Sequence, residues 1–325
     1  MIITRTPYRV SFFGGGTDLP AWYRQHGGAA LTSTIAHYCY LSVRPTPPHL
    51  PAKYRVAWSR LEDVDRLEDI QHPGVRACLK YMGTGQGVEV SHLGDLPARS
   101  GLGSSSAFTV GMLKALYALQ GYRVVPNQAI AGAAVHVEQE VLRETVGIQD
   151  QIECAIGGLN VIRIAPSGDW EVERVAVTPE TLAALQGSLM LFYTGFQRSA
   201  SEIQADTVAA LHDKTETMQA ILGLVYLSTD ILIKGNLDEF GGLLHEGWML
   251  KQRLSTKICT EQILDLYEAA RHAGALGGKL LGAGGGGFLL LYARPPDQPA
   301  VRAALPGLLE VPFRFESEGS RLILV

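Results

Sequence analysis

A segment rich in glycine and serine, residues 96–107, limits the fold of this chain more than any other feature. It reads Leu-Pro-Ala-Arg-Ser-Gly-Leu-Gly-Ser-Ser-Ser-Ala and lies between a predicted strand, 88–93, and a strongly apolar predicted helix, 107–120. Backbone N–H groups at a helix start attract phosphate, and glycines let the backbone approach a ligand closely. A plain serine N-cap needs neither two glycines nor three serines. The segment therefore predicts a phosphate-binding loop ahead of a buried helix.

Two further glycine-dense segments, 14–16 and 284–287, suggest other binding loops built from backbone. The glycine–serine segment is not a Walker A loop, because the chain's only Gly-Lys pair, Gly278-Lys279, is followed by Leu280. Residues 282–287 match the spacing G-x-G-x-x-G, but a dinucleotide fingerprint opens a helix, and here a predicted strand, 288–292, follows. Because a strand rather than a helix follows the glycines, this segment is not expected to bind NAD or FAD.

The hydrophobic pattern predicts a mixed α+β chain with two domains, 1–180 and 181–325. Strands lead the first half, and the stretch 199–272 is almost entirely helical. The other predicted strands are 8–13, 31–43, 158–164 and 188–193, a second helix is 128–143, and 312–315 pairs with 321–325 as a final antiparallel pair.

Composition narrows the class of protein. The 325 residues are 46% apolar and 18% charged, and the net charge of −4 shows no block of like charge. A nucleic-acid partner therefore has no electrostatic support. No apolar run of ~18 residues and no signal peptide are evident, so we expect no membrane partner. The cysteines are scattered and predict free thiols in a reducing cytoplasm; they are Cys39, Cys78, Cys154 and Cys259.

Two acidic residues, Glu138 and Asp150, are candidates for kinase chemistry. A kinase that acts on a hydroxyl needs one carboxylate to take or orient the proton and another to hold Mg²⁺ against the phosphates. Spacing alone does not distinguish these roles from a solvated helical glutamate. His136-Val-Glu138 also mimics the start of a zinc deaminase motif, but no P-C-x-x-C follows.

Together these segments resemble the motifs of the GHMP kinases, the group of galactokinase, homoserine kinase, mevalonate kinase and phosphomevalonate kinase. Residues 5–18, 97–107 and 279–288 look like motifs one, two and three. Gly147-x-x-Asp150-Gln151 is similar to the segment that carries the family's catalytic aspartate. The matches follow the family's order.

Within the family, further segments resemble the D-glycero-D-manno-heptose 7-phosphate kinases. They are 12–20, 72–76, 251–258 and 311–316. Galactokinases place Glu-His before Thr-Asp in motif one, where this chain has Gly15-Gly16, and that departure argues against galactose.

The resemblance implies a ribosomal-S5-like N-terminal domain, a ferredoxin-like C-terminal domain, and ATP with Mg²⁺ in the cleft between them. By motif position, Asp150 would be the base or proton acceptor, and Arg9 would stabilise the reacting oxygens. Glu138 and Ser105 would hold Mg²⁺. The implied ATP-binding residues are Pro97, Arg99, Ser100, Gly101, Leu102, Gly103, Ser104, Ser105 and Ser106. The implied substrate-binding residues are Gly15, Gly16, Thr17, Asp18, Gly284, Gly285, Gly286, Lys251 and Lys257.

The product implied by the resemblance is a heptose 1,7-bisphosphate, on the way to nucleotide-activated heptose for surface polysaccharide. The acceptor phosphate needs cations, and the candidates are Arg198, Lys251, Arg253 and Lys257. A kinase for an unphosphorylated sugar such as fucose, or another hexose, is the alternative. A catalytically inactive relative is disfavoured because Glu138, Asp150 and Ser105 are present. A homodimer is left open.

Overall fold

Sheet A, the larger of two sheets, forms the first layer of an α+β fold. The computed structural model describes residues 1–98, 100–122, 124–196 and 200–325. The sheet has eight strands: β1 (Ile2–Phe13), β2 (Gly28–Pro45), β3 (Tyr54–Ala57), β4 (Leu61–Val64), β5 (Val88–Gly94), β6 (Leu159–Ile164), β7 (Trp170–Arg174) and β12 (Arg321–Leu324). Their order is β12-β1-β2-β5-β3-β4, with β6 paired to β2 and to β7.

The long strands β1 and β2 form the centre of sheet A. They pair antiparallel from Ile2 opposite Val43 to Phe13 opposite Leu31, and their β-branched and aromatic side chains suit a buried pleated surface. The register shifts between Ser11 and Phe13, where β1 leads into the first glycine loop. A shift of this kind bends the strand and directs the loop away from the sheet.

Sheet B lies in the second half of the chain and is antiparallel throughout. Its strands are β8 (Leu189–Tyr193), β9 (Gly277–Leu280), β10 (Phe288–Tyr292) and β11 (Leu309–Glu310), in the order β11-β8-β10-β9. The glycine-rich residues 281–287 connect β9 to β10. This segment therefore leads into a strand, as the sequence predicted, rather than into a helix.

Eleven α-helices are present in the described part of the chain. They are α1 (Pro20–His26), α2 (Pro73–Met82), α3 (Ser104–Leu119), α4 (Asn127–His136), α5 (Gln149–Ile156), α6 (Pro179–Ser188), α7 (Ala200–Ala210), α8 (Thr215–Lys234), α9 (Leu237–Gln252), α10 (Glu261–His272) and α11 (Gln298–Ala304). Short 3₁₀ turns occur at Leu67–Asp69 and His212–Lys214, and a π-helical turn at Val137–Val141. Helix α3 is buried on most sides and packs on β1 and β2, which holds its first turn in place.

Two sequence predictions about these elements are wrong. The helix predicted over 128–143 ends as an α-helix at His136 and continues as the π-helical turn. Residues 312–315 and 321–325 do not pair with each other, because β12 pairs with β1 and Phe315 makes an isolated bridge to Ile35. The edge of β1 would otherwise expose unpaired backbone groups, and β12 covers it.

The C-terminal strand therefore belongs to sheet A, and the domain boundary at 180/181 stays a prediction.

The four cysteines are free thiols, as expected, and Cys259 alone among them is half-buried rather than buried.

Helix α8 is long and apolar enough to cross a membrane when only length and composition are considered. In the fold it packs against β1, β2 and α9. Its buried residues are Met218, Ile221, Leu224, Val225, Ser228, Ile231 and Leu232. One face of α8 therefore packs on the fold, while Tyr226, Leu227 and Ile233 are exposed.

Candidate active site

The glycine–serine segment forms the turn at the start of α3. Gly103 is the N-cap residue with a left-handed φ of 73°, and no side chain caps the helix there. Ala107 donates a backbone hydrogen bond to Gly103 O at 2.8 Å. Amides of a first helical turn have no acceptor within the helix and lie at the positive end of its dipole. The turn is therefore suited to binding a phosphate group.

Two glycine loops, one from each half of the chain, touch through their backbones. Gly101 has a φ of +83°, and a β-carbon at this position would lie 2.4 Å from the carbonyl oxygen of Leu281. A β-carbon on Gly287 would lie 2.3 Å from the carbonyl oxygen of Ser100. Any other residue would force the loops apart, so these glycines are needed for the closeness of the contact.

Arg9 on β1 and Asp150 in the first turn of α5 form a bidentate ion pair. Arg9 Nε donates to Asp150 Oδ1 at 2.8 Å, and Nη2 donates to Oδ2 at 2.5 Å. Arg9 Nη1 donates to the carbonyl oxygen of Gly101 at 2.7 Å, which ties the pair to the turn before α3. Burial alone would lower the pKa of Arg9, but the adjacent Asp150 carboxylate outweighs it, so the pKa is raised.

Asp18 lies close to this pair and is buried. It accepts backbone hydrogen bonds from Gly16 N at 3.1 Å and Gln149 N at 3.3 Å. Burial raises the pKa of Asp18, and the Asp150 charge raises it further. Gly147 packs so closely that a β-carbon there would lie 1.8 Å from Asp18 Oδ2. The carboxylate of Asp18 is thus held in a fixed position on the cavity wall.

Glu138, on the π-helical turn, carries a buried carboxylate that is only half satisfied. Its Oε2 accepts from Ser106 Oγ at 3.0 Å and from Gln151 Nε2 at 2.5 Å. Its Oε1 is buried without a hydrogen-bond partner. Burial raises the pKa of Glu138 to about 7. A free carboxylate oxygen facing a cavity is what a bound cation needs.

These donors fit Mg²⁺ held together with a nucleotide, rather than a metal held by protein alone. The part of the chain that the structure describes contains no group of three or more His, Cys, Asp or Glu side chains placed to bind a metal. Mg²⁺ in kinases is bound by one or two carboxylates with substrate phosphates and water. Glu138 and the hydroxyl of Ser105 match that donor set.

Two lysines, the half-buried Lys251 and the buried Lys279, donate to backbone carbonyl oxygens of the first and third motifs. Lys251 Nζ donates to the carbonyl oxygens of Leu280 at 3.2 Å and Gly282 at 2.5 Å. Lys279 Nζ donates to the carbonyl oxygen of Phe12 at 2.7 Å. Burial and then the charge of Arg9 lower the pKa of Lys251 to about 8. Burial, followed by the charge of Lys251, lowers the pKa of Lys279 well below its ordinary value.

All of these groups surround one cavity of about 660 Å³. The turn before α3 and Glu138 lie on its wall together with Asp150, Asp18 and the glycine loop between β9 and β10. The cavity therefore brings a phosphate-binding turn and carboxylates into one space.

Comparison with known proteins agrees with this geometry. The family model of the GHMP kinase N-terminal domain matches residues 73–158, and that of the GHMP kinase C-terminal domain matches residues 229–310. The chain belongs to the GHMP kinase family. It is a phosphotransferase with an alcohol group as acceptor, and GHMP kinases use ATP as the donor.

Sequence alignments with two relatives extend over most of the length of this GHMP kinase. The D-glycero-alpha-D-manno-heptose 7-phosphate kinase of Campylobacter jejuni is 26% identical over 340 residues, which cover 98% of this chain and 97% of the relative. The L-fucokinase/L-fucose-1-P guanylyltransferase of Bacteroides fragilis is 26% identical over 342 residues, covering 92% of this chain but 35% of that protein.

A solved structure superimposes on this protein over the whole chain. The D-glycero-D-manno-heptose 1-phosphate kinase from Bacteriodes thetaiotaomicron superimposes with a TM-score of 0.82 at 22% identity, covering 100% of this chain and 99% of the other. The α+β two-domain fold expected from the sequence is confirmed.

Most of the site residues expected in this GHMP kinase line the cavity. They are Arg9, Gly15, Gly16, Asp18, Gly101, Gly103, Ser104, Ser105, Ser106, Glu138, Asp150, Lys251, Gly284 and Gly286. Arg99 and the candidate cation Arg198 lie outside the described residues.

The other expected site residues have different surroundings. The Thr17 hydroxyl is buried and donates to the carbonyl oxygens of Gly14 and Ala29, each at 2.8 Å. Lys257 Nζ lies 2.6 Å from Asp206 Oδ2 on the surface. Pro97 is exposed, Ser100 and Leu102 are buried, and neither these three nor Gly285 or Arg253 lie on the cavity wall.

The cavity wall also includes residues that the sequence analysis did not single out as site residues. Ser11 Oγ donates to Gln149 Oε1 at 2.8 Å, and both line the cavity with Arg143, Thr207 and Lys279. Lys279 opens the third motif and could have been found there. Arg143 and Thr207 belong to no motif, so no sequence signal marks them.

Proposed function

We propose that this GHMP kinase transfers the γ-phosphoryl group of ATP to the anomeric hydroxyl of D-glycero-D-manno-heptose 7-phosphate and forms the 1,7-bisphosphate. The observation that carries the proposal is the position of Asp150. Its carboxylate is held by Arg9, with 25% of the side chain exposed, and it lines the cavity that also receives the turn before α3 and Asp18. Donor phosphates and an acceptor hydroxyl can meet there.

The donor side of the cavity is the turn before α3. The backbone amides of Ser104, Ser105 and Ser106 would hold the ATP phosphates at the positive end of the helix. Glu138 Oε1 and the Ser105 hydroxyl would hold Mg²⁺. When bound, Mg²⁺ neutralises charge on the phosphates during transfer.

The acceptor side is formed by Asp18 and the first glycine loop. Asp18 would accept hydrogen bonds from sugar hydroxyls, and Gly15 and Gly16 leave room beside it because they carry no side chain. Asp150 orients the anomeric hydroxyl and receives its proton while the new P–O bond forms, and ADP leaves as the β–γ bridge bond breaks. Positioning supplies most of the rate in such a transfer.

A phosphorylated sugar as acceptor is supported by two observations. The Campylobacter jejuni relative aligned over nearly the full length acts on a heptose 7-phosphate. Among the described residues, the cavity wall also carries two arginines and two lysines, whose N–H groups suit a second anionic ligand beside ATP; they are Arg9, Arg143, Lys251 and Lys279. The product would then be converted to a nucleotide-activated heptose for surface polysaccharide, in a cytoplasm that keeps the four thiols reduced.

The alternative is a kinase for an unphosphorylated sugar such as fucose. The similarity to the fucokinase of Bacteroides fragilis favours it. The two functions can be distinguished by whether the acceptor carries a phosphate group.

A panel of acceptors with Mg-ATP, scored by ADP release, distinguishes the two. It should contain heptose 7-phosphate, the same heptose without phosphate, fucose and galactose. We expect the largest kcat/KM with heptose 7-phosphate. A larger kcat/KM with a free sugar would overturn the proposed acceptor and leave the kinase assignment intact.

A further inference from the structure

Among the described residues, two arginines and two lysines line the cavity, and three of these four side chains are already hydrogen-bonded within the protein. Arg9 is bound to Asp150 and Gly101 O. Lys251 donates to two carbonyl oxygens of the glycine loop region, and Lys279 donates to Phe12 O. Much of their hydrogen-bonding capacity is therefore committed before a ligand arrives.

Arg143, the fourth cation, differs from the other three. Its side chain is exposed and lines the cavity, which places it at the solvent edge of the site. Within the described parts of the chain it has no side-chain hydrogen bond and no ion pair. A guanidinium presents five N–H donors in a planar fork that matches phosphate geometry. Arg143 can therefore offer its whole fork to a ligand.

The backbone at Arg143 is strained. Its φ of 58° is the only positive value at a non-glycine residue in the described structure. Such conformations cost about 1–3 kcal/mol and are concentrated at ligand clamps and active sites. Glycine or asparagine would adopt this conformation more easily.

The segment after Arg143 is anchored on both sides. Glu144 N donates to Glu138 O at 3.0 Å, and Gln139 Nε2 donates to Val146 O at 2.9 Å. Gly147 then packs directly against Asp18. The segment therefore runs from the metal carboxylate to the acceptor side of the cavity and holds Arg143 in a fixed place along it.

We infer that Arg143 binds the phosphate group of the phosphorylated acceptor and is the residue that selects a sugar phosphate over a free sugar. This inference rests on the proposed function. In the proposed function, the nucleotide phosphates are bound by the backbone amides at the start of α3 and by a metal ion that Glu138 holds. Among the described residues that line the cavity, Arg143 is the cation without a side-chain hydrogen bond or ion pair, and Gly147, four residues after it, packs against Asp18. It is therefore placed to meet an anion on an acceptor that binds beside Asp18.

The test is the variant Arg143→Asn, which removes the charge but keeps a residue that tolerates a positive φ. We expect KM for heptose 7-phosphate to rise by about 10- to 100-fold, the loss expected for a charge-assisted hydrogen-bonded contact. KM for ATP and turnover of the unphosphorylated heptose should not change. The control Arg314→Gln removes an exposed arginine away from the cavity and should leave all constants as in the wild type.

The outcomes distinguish the role of Arg143 from the identity of the acceptor. If the wild type prefers heptose 7-phosphate and Arg143→Asn keeps that preference, or loses affinity for ATP instead, the assignment of Arg143 is wrong while the acceptor stands. If the wild type does not distinguish the phosphorylated from the free heptose, both fail. A melting temperature at or above that of the wild type would show that the variant is folded.

Discussion

The Arg9 guanidinium donates to both carboxylate oxygens of Asp150, at 2.8 and 2.5 Å. The side chain of Arg9 is 4% exposed and that of Asp150 25% exposed, so the arginine is a buried support and the carboxylate faces the cavity. The third nitrogen of Arg9 reaches Gly101 O at 2.7 Å. One arginine thus fixes the carboxylate of Asp150 relative to the turn before α3, and this position supports the proposed role of Asp150 in orienting the acceptor.

Asp150→Asn should lower kcat by about 100-fold or more, the usual effect of losing a positioned acid–base group. The amide cannot receive the hydroxyl proton and accepts only one of the two Arg9 hydrogen bonds. Binding of a nonhydrolysable ATP analogue, measured by calorimetry, should persist. Asp265→Asn, at an exposed position on α10, is the control. Near-normal turnover of Asp150→Asn would remove Asp150 from the mechanism.

Glu138→Gln should raise the Mg²⁺ concentration needed for half-maximal activity by about tenfold or more. The amide retains an oxygen for the hydrogen bonds from Ser106 and Gln151, but it no longer offers a charged ligand. Titrating Mg²⁺ at fixed ATP measures the effect, with the exposed Glu246→Gln on α9 as control. An unchanged Mg²⁺ requirement would show that Glu138 has another role.

Gly147→Ala should raise KM for the sugar far more than KM for ATP. The new methyl group would lie 1.8 Å from Asp18 Oδ2, so it must displace the carboxylate. Gly132→Ala on α4 is the matched control, because nothing lies within 4 Å of its β-carbon position. That control should be neutral or stabilise by about 1 kcal/mol. Equal effects of the two substitutions on KM would contradict the placement of Asp18 on the acceptor side.

Glu153→Gln should stabilise the protein at pH 8 more than at pH 5. Glu153 is fully buried and accepts from Asn160 Nδ2, and burial raises its pKa from an ordinary 4.5 to about 8. Between these values the folded protein holds a proton that the unfolded chain has released, so wild-type stability falls as pH rises through this window. Glutamine mimics the protonated acid and removes that loss.

The check is the melting temperature of both proteins at pH 5 and pH 8. The difference between variant and wild type should be larger at pH 8. A difference that does not depend on pH would mean that Glu153 is not protonated in the folded state.

Much of the fold could be predicted because its signals are local. The alternation in β1 and the apolar run of α3 each indicate their own element, and Gly103 directly precedes the first residue of α3. The C-terminal strand was mispaired because residues 321–325 could pair with either neighbour in sequence or a distant edge. Only the position of β1 shows that β12 covers it.

The site residues likewise fall into those that the sequence indicated and those whose contacts only the tertiary structure decided. The sequence alone determined that a glycine–serine turn precedes a buried helix, since that is a property of residue type and spacing, and its resemblance to the family pointed to Glu138 and Asp150. Tertiary structure decided that the Thr17 hydroxyl bonds to backbone, that Lys251 holds the glycine loop, and that the exposed Arg143 lines the cavity. The physical reason is that a polar group's task depends on which partners burial places beside it, and those partners come from distant parts of the chain.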